Sequence, residues 1–254
     1  TQPKELTFYD TPGYARAVYA EGLNVHVARL TGITTLNVLS PTEPYLWSKL
    51  PTPGIACEFI VEAGLGYLAD YKSGFSVIDA EAEPVMDVLG TLKTPGSAVD
   101  LDIEDSIVYL ATLEAGLRII DASDPAQPVE VAALDDRGHG QSVALQGDLA
   151  YVANGLSGLR VVDISDPQDP TPIARLDSPT GATWAVDVVG TTAYLARGEA
   201  GIATADLTTP DAPIELGAAA LTGDARDIQV IGPTAYVAGG KEGGLRIVDV
   251  TLSE

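Results

Sequence analysis

Six glycines, Gly32, Gly74, Gly116, Gly158, Gly201 and Gly244, stand 42, 42, 42, 43 and 43 residues apart, and each opens the same pattern. Five residues after each comes Asn37, Asp79, Asp121, Asp163, Asp206 or Asp249. Twelve after the first five comes Pro44, Met86, Pro128, Pro170 or Pro213. A fixed period of this size is the mark of a repeat architecture and outranks other evidence about fold. Six copies nearly exhaust the 254 residues, so the expectation is one domain over 1–254 with no room for a second.

Each repeat reads as strands. With Tyr151 as reference, the equivalents are His26, Tyr67, Tyr109, Tyr194 and Tyr236. Eight positions earlier stand Val18, Phe59, Leu101, Val143, Val186 and Ile228; six earlier stand Ala20, Val61, Ile103, Leu145, Val188 and Val230. Apolar residues two apart, with mixed residues between, have the period of a β-strand. Gly22, Gly147, Gly190 and Gly232 then mark a tight turn, with Ala63 and Asp105 in their place elsewhere. A second strand such as Ala150-Tyr151-Val152-Ala153, a third such as Leu159 to Val162 and a more polar fourth such as Val129 to Leu134 complete the unit. Four-stranded antiparallel meanders repeated six times predict an all-β chain, a six-bladed β-propeller. The C-terminal repeat ends on a third strand, while Pro3 to Thr11 has the pattern of a fourth. The N-terminal strand is therefore expected to close the last blade and to remove an open sheet edge.

Charge narrows the partners. A formal net charge of −22 argues against nucleic acid and against docking on anionic membranes. No run of apolar residues is long enough for a transmembrane helix, so no direct membrane insertion is expected. Cys57 is the only cysteine, which excludes an intrachain disulfide. One Cys and one Met leave few oxidisable sites, as suits an extracytoplasmic protein. A start at Thr1 rather than Met is consistent with trimming of a leader or of a larger precursor.

The runs Phe75 to Asp79, Leu117 to Asp121, Leu159 to Asp163 and Leu245 to Asp249 (FSVID, LRIID, LRVVD and LRIVD) resemble the LVIVD repeat. Ile33 to Asn37 and Ile202 to Asp206 carry it in weaker form. The resemblance implies a propeller of the bacterial and archaeal kind that is mostly secreted or surface-exposed and has no assigned enzymatic activity. It supplies no catalytic residues and no cofactor.

Two motifs invite a chemical reading. Asp121, Ser123 and Asp124, like Asp163, Ser165 and Asp166, offer oxygens to a cation. Calcium wants six to eight oxygen ligands, however, and each loop has two carboxylates and a proline. A side chain capping its own turn explains the spacing better. The second motif is the place where the repeats disagree. Ten positions before the reference come Arg16, Cys57, Val99, Gln141, Trp184 and Arg226; nine before come Ala17, Glu58, Asp100, Ser142, Ala185 and Asp227. In a propeller these positions ring one mouth of the channel. The following loops add Arg29, Asp70, Tyr71, Lys72, Asn154, Arg197, Glu199, Lys241 and Glu242. A constant scaffold with variable loops is how such folds carry binding sites.

The expected partner surface is thus Arg16, Glu58, Tyr71, Lys72, His139, Gln141, Trp184, Arg197, Arg226 and Asp227. Arg and Lys would hold acidic groups; Trp184 and Tyr71 would stack on a side chain or sugar ring. The reading is a non-enzymatic module for a protein or carbohydrate partner, secreted or at the cell surface. One alternative is a calcium-dependent hydrolase of lactonase type with Glu58, Asp100, Asp102, Asp187 and Asp227 as channel ligands; another is an architectural spacer. His139 lacks a nucleophile motif beside it, Cys57 lacks an activating histidine, and His26 sits mid-strand away from the mouth.

Overall fold

The alternating residues of every repeat form antiparallel strands in the computed structural model, which describes residues 5–11, 13–135 and 139–251. The first sheet is β1 (Ala15–Glu21), β2 (Asn24–Arg29), β3 (Gly32–Asn37) and β4 (Tyr45–Leu50). The second is β5 (Glu58–Glu62), β6 (Leu65–Ala69), β7 (Phe75–Asp79) and β8 (Asp87–Leu92). The third is β9 (Ala98–Glu104), β10 (Ile107–Thr112), β11 (Gly116–Asp121) and β12 (Val129–Leu134). The fourth is β13 (Ser142–Gln146), β14 (Leu149–Ala153), β15 (Leu159–Asp163) and β16 (Thr171–Leu176). The fifth is β17 (Ala185–Val189), β18 (Thr192–Ala196), β19 (Ile202–Asp206) and β20 (Ile214–Ala219). The sixth has three strands, β21 (Asp227–Ile231), β22 (Thr234–Ala238) and β23 (Leu245–Asp249), with one helical turn, α1 (Gly240–Gly243), before the last. Strands are hydrogen-bonded in chain order throughout, which is the meander of a propeller blade.

The repeated residues have local causes. Gly158 has φ +80°, and a Cβ there would lie 2.0 Å from the carbonyl oxygen of Leu176 on the fourth strand, so only glycine fits where the third strand starts. The Asp five residues on closes a turn of its own. Asp163 Oδ1 accepts the Ser165 N–H at 3.0 Å, Asp121 the Ser123 N–H at 2.9 Å and Asp249 the Thr251 N–H at 2.9 Å. Asn37, Asp79 and Asp206 do the same for Leu39, Glu81 and Thr208. The pairing of third and fourth strands slips at one place in the repeat, between Thr35 and Leu36, Val77 and Ile78, Val161 and Val162, and Thr204 and Ala205. This recurring bulge adds twist to each outer strand.

Two compact units make up the chain, Thr1–Leu101 with Asp121–Glu130 and Asp102–Ile120 with Val131–Glu254. In the first, Ile33, Phe59, Leu68, Ile78 and Met86 form a core between the first and second sheets. In the second, Tyr151, Val161, Val186 and Leu195 pack between the fourth and fifth sheets, and Tyr194, Ile202, Ile228 and Val237 between the fifth and sixth. Among the described residues no helix is long and apolar enough to cross a membrane.

The last blade has three strands, and the described part of the N-terminal segment, which the repeat period makes its fourth, carries no assigned strand. Residues 5–11 belong to no strand, and Leu6 and Phe8 are 61% and 78% exposed. Residues 1–4 and 12 of that expected strand and its turn lie outside the described residues.

Candidate functional site

The positions that vary between repeats are held by a backbone that does not. Cys57, Gln141, Trp184 and Arg226 each donate their N–H to the carbonyl of the second strand's last residue, Ala69, Ala153, Ala196 or Ala238, at 2.8 Å every time. Four unrelated side chains are thus presented from one backbone geometry, at the start of the first strand of each sheet.

In the first unit, Arg16 is exposed and hydrogen-bonds the Cys57 thiol, which burial pushes up in spite of that neighbouring charge. A buried thiol with a raised pKa is a poor nucleophile. Glu58 is half-buried, and its Oε1 accepts the N–H of Phe59 at 2.9 Å. Tyr71 is half-buried, with the exposed Lys72 ammonium 5.9 Å from its ring centre. Tyr71 has φ +47°, at the position where Gly155, Gly198 and Gly240 have φ +55°, +59° and +62°. A tyrosine in a left-handed conformation that other repeats give to glycine is strained, and such strain concentrates at functional positions. A non-glycine at a glycine position of the repeat was legible in the sequence.

In the second unit the structure brings two of the expected residues together. The Arg226 guanidinium lies over the Trp184 ring, 4.0 Å from its centre. Asp224 holds it there: its Oδ2 accepts Arg226 Nε at 2.7 Å and also Arg226 Nη2. Trp184 leads into β17 and Arg226 into β21, so adjacent sheets build the stack. Asp224 was missed by sequence reasoning because it sits in a turn rather than at a register position. Asp227 is exposed, and its Oδ1 accepts the N–H of Ile228 at 2.8 Å. Gln141 is half-buried and His139 exposed. The side chains of Lys241 and Glu242 lie outside what is described.

Arg197 is placed differently from Trp184 and Arg226. It is 1% exposed and pairs through Nη1 with Glu215 Oε2 at 2.6 Å, while Nε and Nη2 are buried with no partner. It therefore offers no exposed cation. Its repeat position, three after the reference, also holds Arg29, Asp70, Thr112 and Asn154, all buried. Asp70 Oδ2 accepts the Gly54 N–H at 2.9 Å, and burial raises its carboxyl. Thr112 donates to Gly116 O at 2.8 Å. These buried polar groups tie down the second-to-third strand loop.

The acids considered for a cation are engaged with backbone. Asp102 Oδ2 accepts the Leu145 N–H and Oδ1 that of Ile103, each at 2.8 Å. Asp187 Oδ2 accepts the Val230 N–H at 2.6 Å. Burial raises both carboxyls, and the N–H donors oppose it. Each carboxylate thus reaches a strand 43 residues further on, linking one sheet to the next. Asp100 is half-buried on β9. Among the described residues no three His, Cys, Asp or Glu side chains gather as a metal site.

The LVIVD repeat matches residues 95–136, 137–177 and 222–254. No curated protein matches the chain. Among solved structures, the crystal structure of the computationally designed Ika8 protein is similar, with a TM-score of 0.73 and 11% identity. The match covers 92% of this chain and 70% of the designed one, and at that identity it speaks to the fold alone. Six repeated sheets in meander order make the chain a β-propeller, and three of its stretches match the LVIVD repeat.

Proposed function

We propose that this propeller is a non-enzymatic binding module, acting at the cell surface or in secreted form, that engages a protein or carbohydrate partner. The observation that carries this reading is the Arg226–Trp184 stack. Stacking and the Asp224 carboxylate hold the guanidinium in one orientation before any partner arrives, so little side-chain entropy remains to be lost on binding. Arg226 Nη1 is left to meet a carboxylate or hydroxyl, and the Trp184 ring offers apolar area beside it. Arginine and tryptophan are the side chains that most often anchor interfaces. Tyr71 and Lys72 offer an aromatic–cation pair of the same type in the first unit. The extracellular setting rests on the likeness to the LVIVD repeat and on the scarcity of Cys and Met.

The test is an array of glycans, including acidic ones, and of surface proteins, probed with the wild type and the Trp184→Ala/Arg226→Ala double variant. Loss of the wild-type hits with an unchanged melting temperature supports the reading. Undiminished binding by the double variant removes this face from consideration.

A further inference from the structure

The first two sheets enclose a groove at the ends of their strands remote from Arg16. Its volume is about 610 Å³, within the range of small-molecule sites. Glu21, Asn24, His26, Trp47, Glu81 and Glu83 supply its polar and aromatic lining. Three of these are carboxylates, and no lysine or arginine is among the lining residues.

His26 makes the groove more than an acidic cluster. The side chain is 2% exposed and lies against Phe59, ring centres 5.4 Å apart. Its Nδ1 is 2.8 Å from Thr35 Oγ1. Thr35 Oγ1 can direct its own hydrogen to Met86 Sδ, 3.8 Å away, and in that tautomer Nδ1–H donates to Thr35 and Nε2 is left as the acceptor. Among the described residues the Thr35 contact is the ring's only hydrogen bond, so Nε2 has no protein partner there. Burial lowers the imidazole to about 4, so it stays neutral at ordinary pH. On a side chain that lines the groove, Nε2 is open to a group that enters it.

Other lining groups agree. Asn37 Oδ1 already accepts the Leu39 N–H, and its Nδ2 donates to Asn24 Oδ1 at 3.3 Å. Trp47 is half-buried and offers an aromatic surface. Carboxylates, a neutral acceptor and an aromatic ring, with no cation among them, complement a positively charged N–H donor.

We propose that this groove binds a primary alkylammonium group, with His26 Nε2 accepting one N–H, Glu81 and Glu83 supplying the opposing charge and Trp47 packing against the alkyl chain. The need for an N–H separates this from simple charge attraction. Trp184→Phe protein, in which Trp47 is the one remaining tryptophan, is titrated with putrescine, Nα-acetyl-lysine amide and tetramethylammonium at constant ionic strength. A saturable change in Trp47 fluorescence is expected with at least one primary ammonium, and binding at least tenfold weaker with tetramethylammonium. Saturation by putrescine alone identifies a free amine as the ligand, and saturation by the lysine amide identifies a partner's side chain. Glu81→Gln/Glu83→Gln, at exposed positions that leave the core intact, should weaken binding at least tenfold, and His26→Tyr should remove the preference over tetramethylammonium. No saturable change with either primary ammonium, equal binding of tetramethylammonium by the Trp184→Phe protein, or undiminished binding by the Glu variant overturns the proposal.

Discussion

The fourth sheet and the first are written in the same repeat, yet they meet solvent differently. Val143 on the innermost strand of the fourth is 5% exposed, whereas Val18 at the same repeat position in the first is 64% exposed. The third strands differ in the same way at the other end of the chain. Leu159 and Val161 of β15 are fully buried, while Leu245 and Ile247 of β23 are 62% and 45% exposed. A blade buries its faces against neighbouring blades and not within itself, so one pattern yields a core or a surface according to what stands beside it. The LVIVD-type apolar run is therefore a demand for burial that the interior sheets satisfy and the terminal strands, in part, do not.

Three measurements break or sharpen that contrast. The largest effect is expected at Phe59, which is 1% exposed on β5 at the repeat position of Val18. Phe59→Ala should destabilise the protein by about 3–5 kcal/mol in denaturant titration, and Val18→Ala by no more than about 0.5 kcal/mol. Equal losses would show that the first sheet's face is covered as the others are.

A second effect comes from His26, the first sheet's buried counterpart of the reference tyrosines. Its folded pKa is lowered from 6.5 to about 4, so between those values the unfolded chain binds more protons than the folded one. Stability then falls as pH drops through that window and is fully present above it. Acidification from neutral pH to the lower end should remove about 3 kcal/mol that the His26→Tyr variant retains. Parallel pH profiles for the two proteins would mean that the imidazole is already hydrated in the folded state.

The smallest effect is expected from Leu6→Ala/Phe8→Ala. Both side chains are exposed and outside any strand, so the change should stay within about 0.5 kcal/mol. A fall in melting temperature of many degrees would instead support the sequence-based expectation that this segment completes the last blade.

Much of the fold was legible because its signals are local. The alternation around the reference tyrosines, the glycine that must start each third strand and the aspartate that caps its own turn all act within a few residues. The site was legible only as positions. The period places Trp184 and Arg226 at one repeat position, but the stack depends on Asp224, one side chain in a turn. The repeat period set Arg197 beside them as well, but a register position does not say whether its side chain faces solvent. At the end of the second strand, five of the six repeats bury a polar side chain, and Arg197 is paired inward with Glu215. Asp102 and Asp187 were candidate cation ligands because they are acidic. They serve backbone N–H groups of another sheet, a partnership across 43 residues that no local pattern records.

By itself the sequence determined the strands, their order, the number of repeats and the turns between them, because period-two alternation, glycine sterics and side-chain capping act over short stretches of chain. Only the tertiary structure decided which copies of one pattern become core, which charges are spent inside and which stay exposed. It also set Glu81 and Glu83 around one groove with His26, residues that lie far apart in the chain. The physical reason is that burial and electrostatic pairing are properties of neighbours in space, and in a repeat protein those neighbours come from other copies of the repeat.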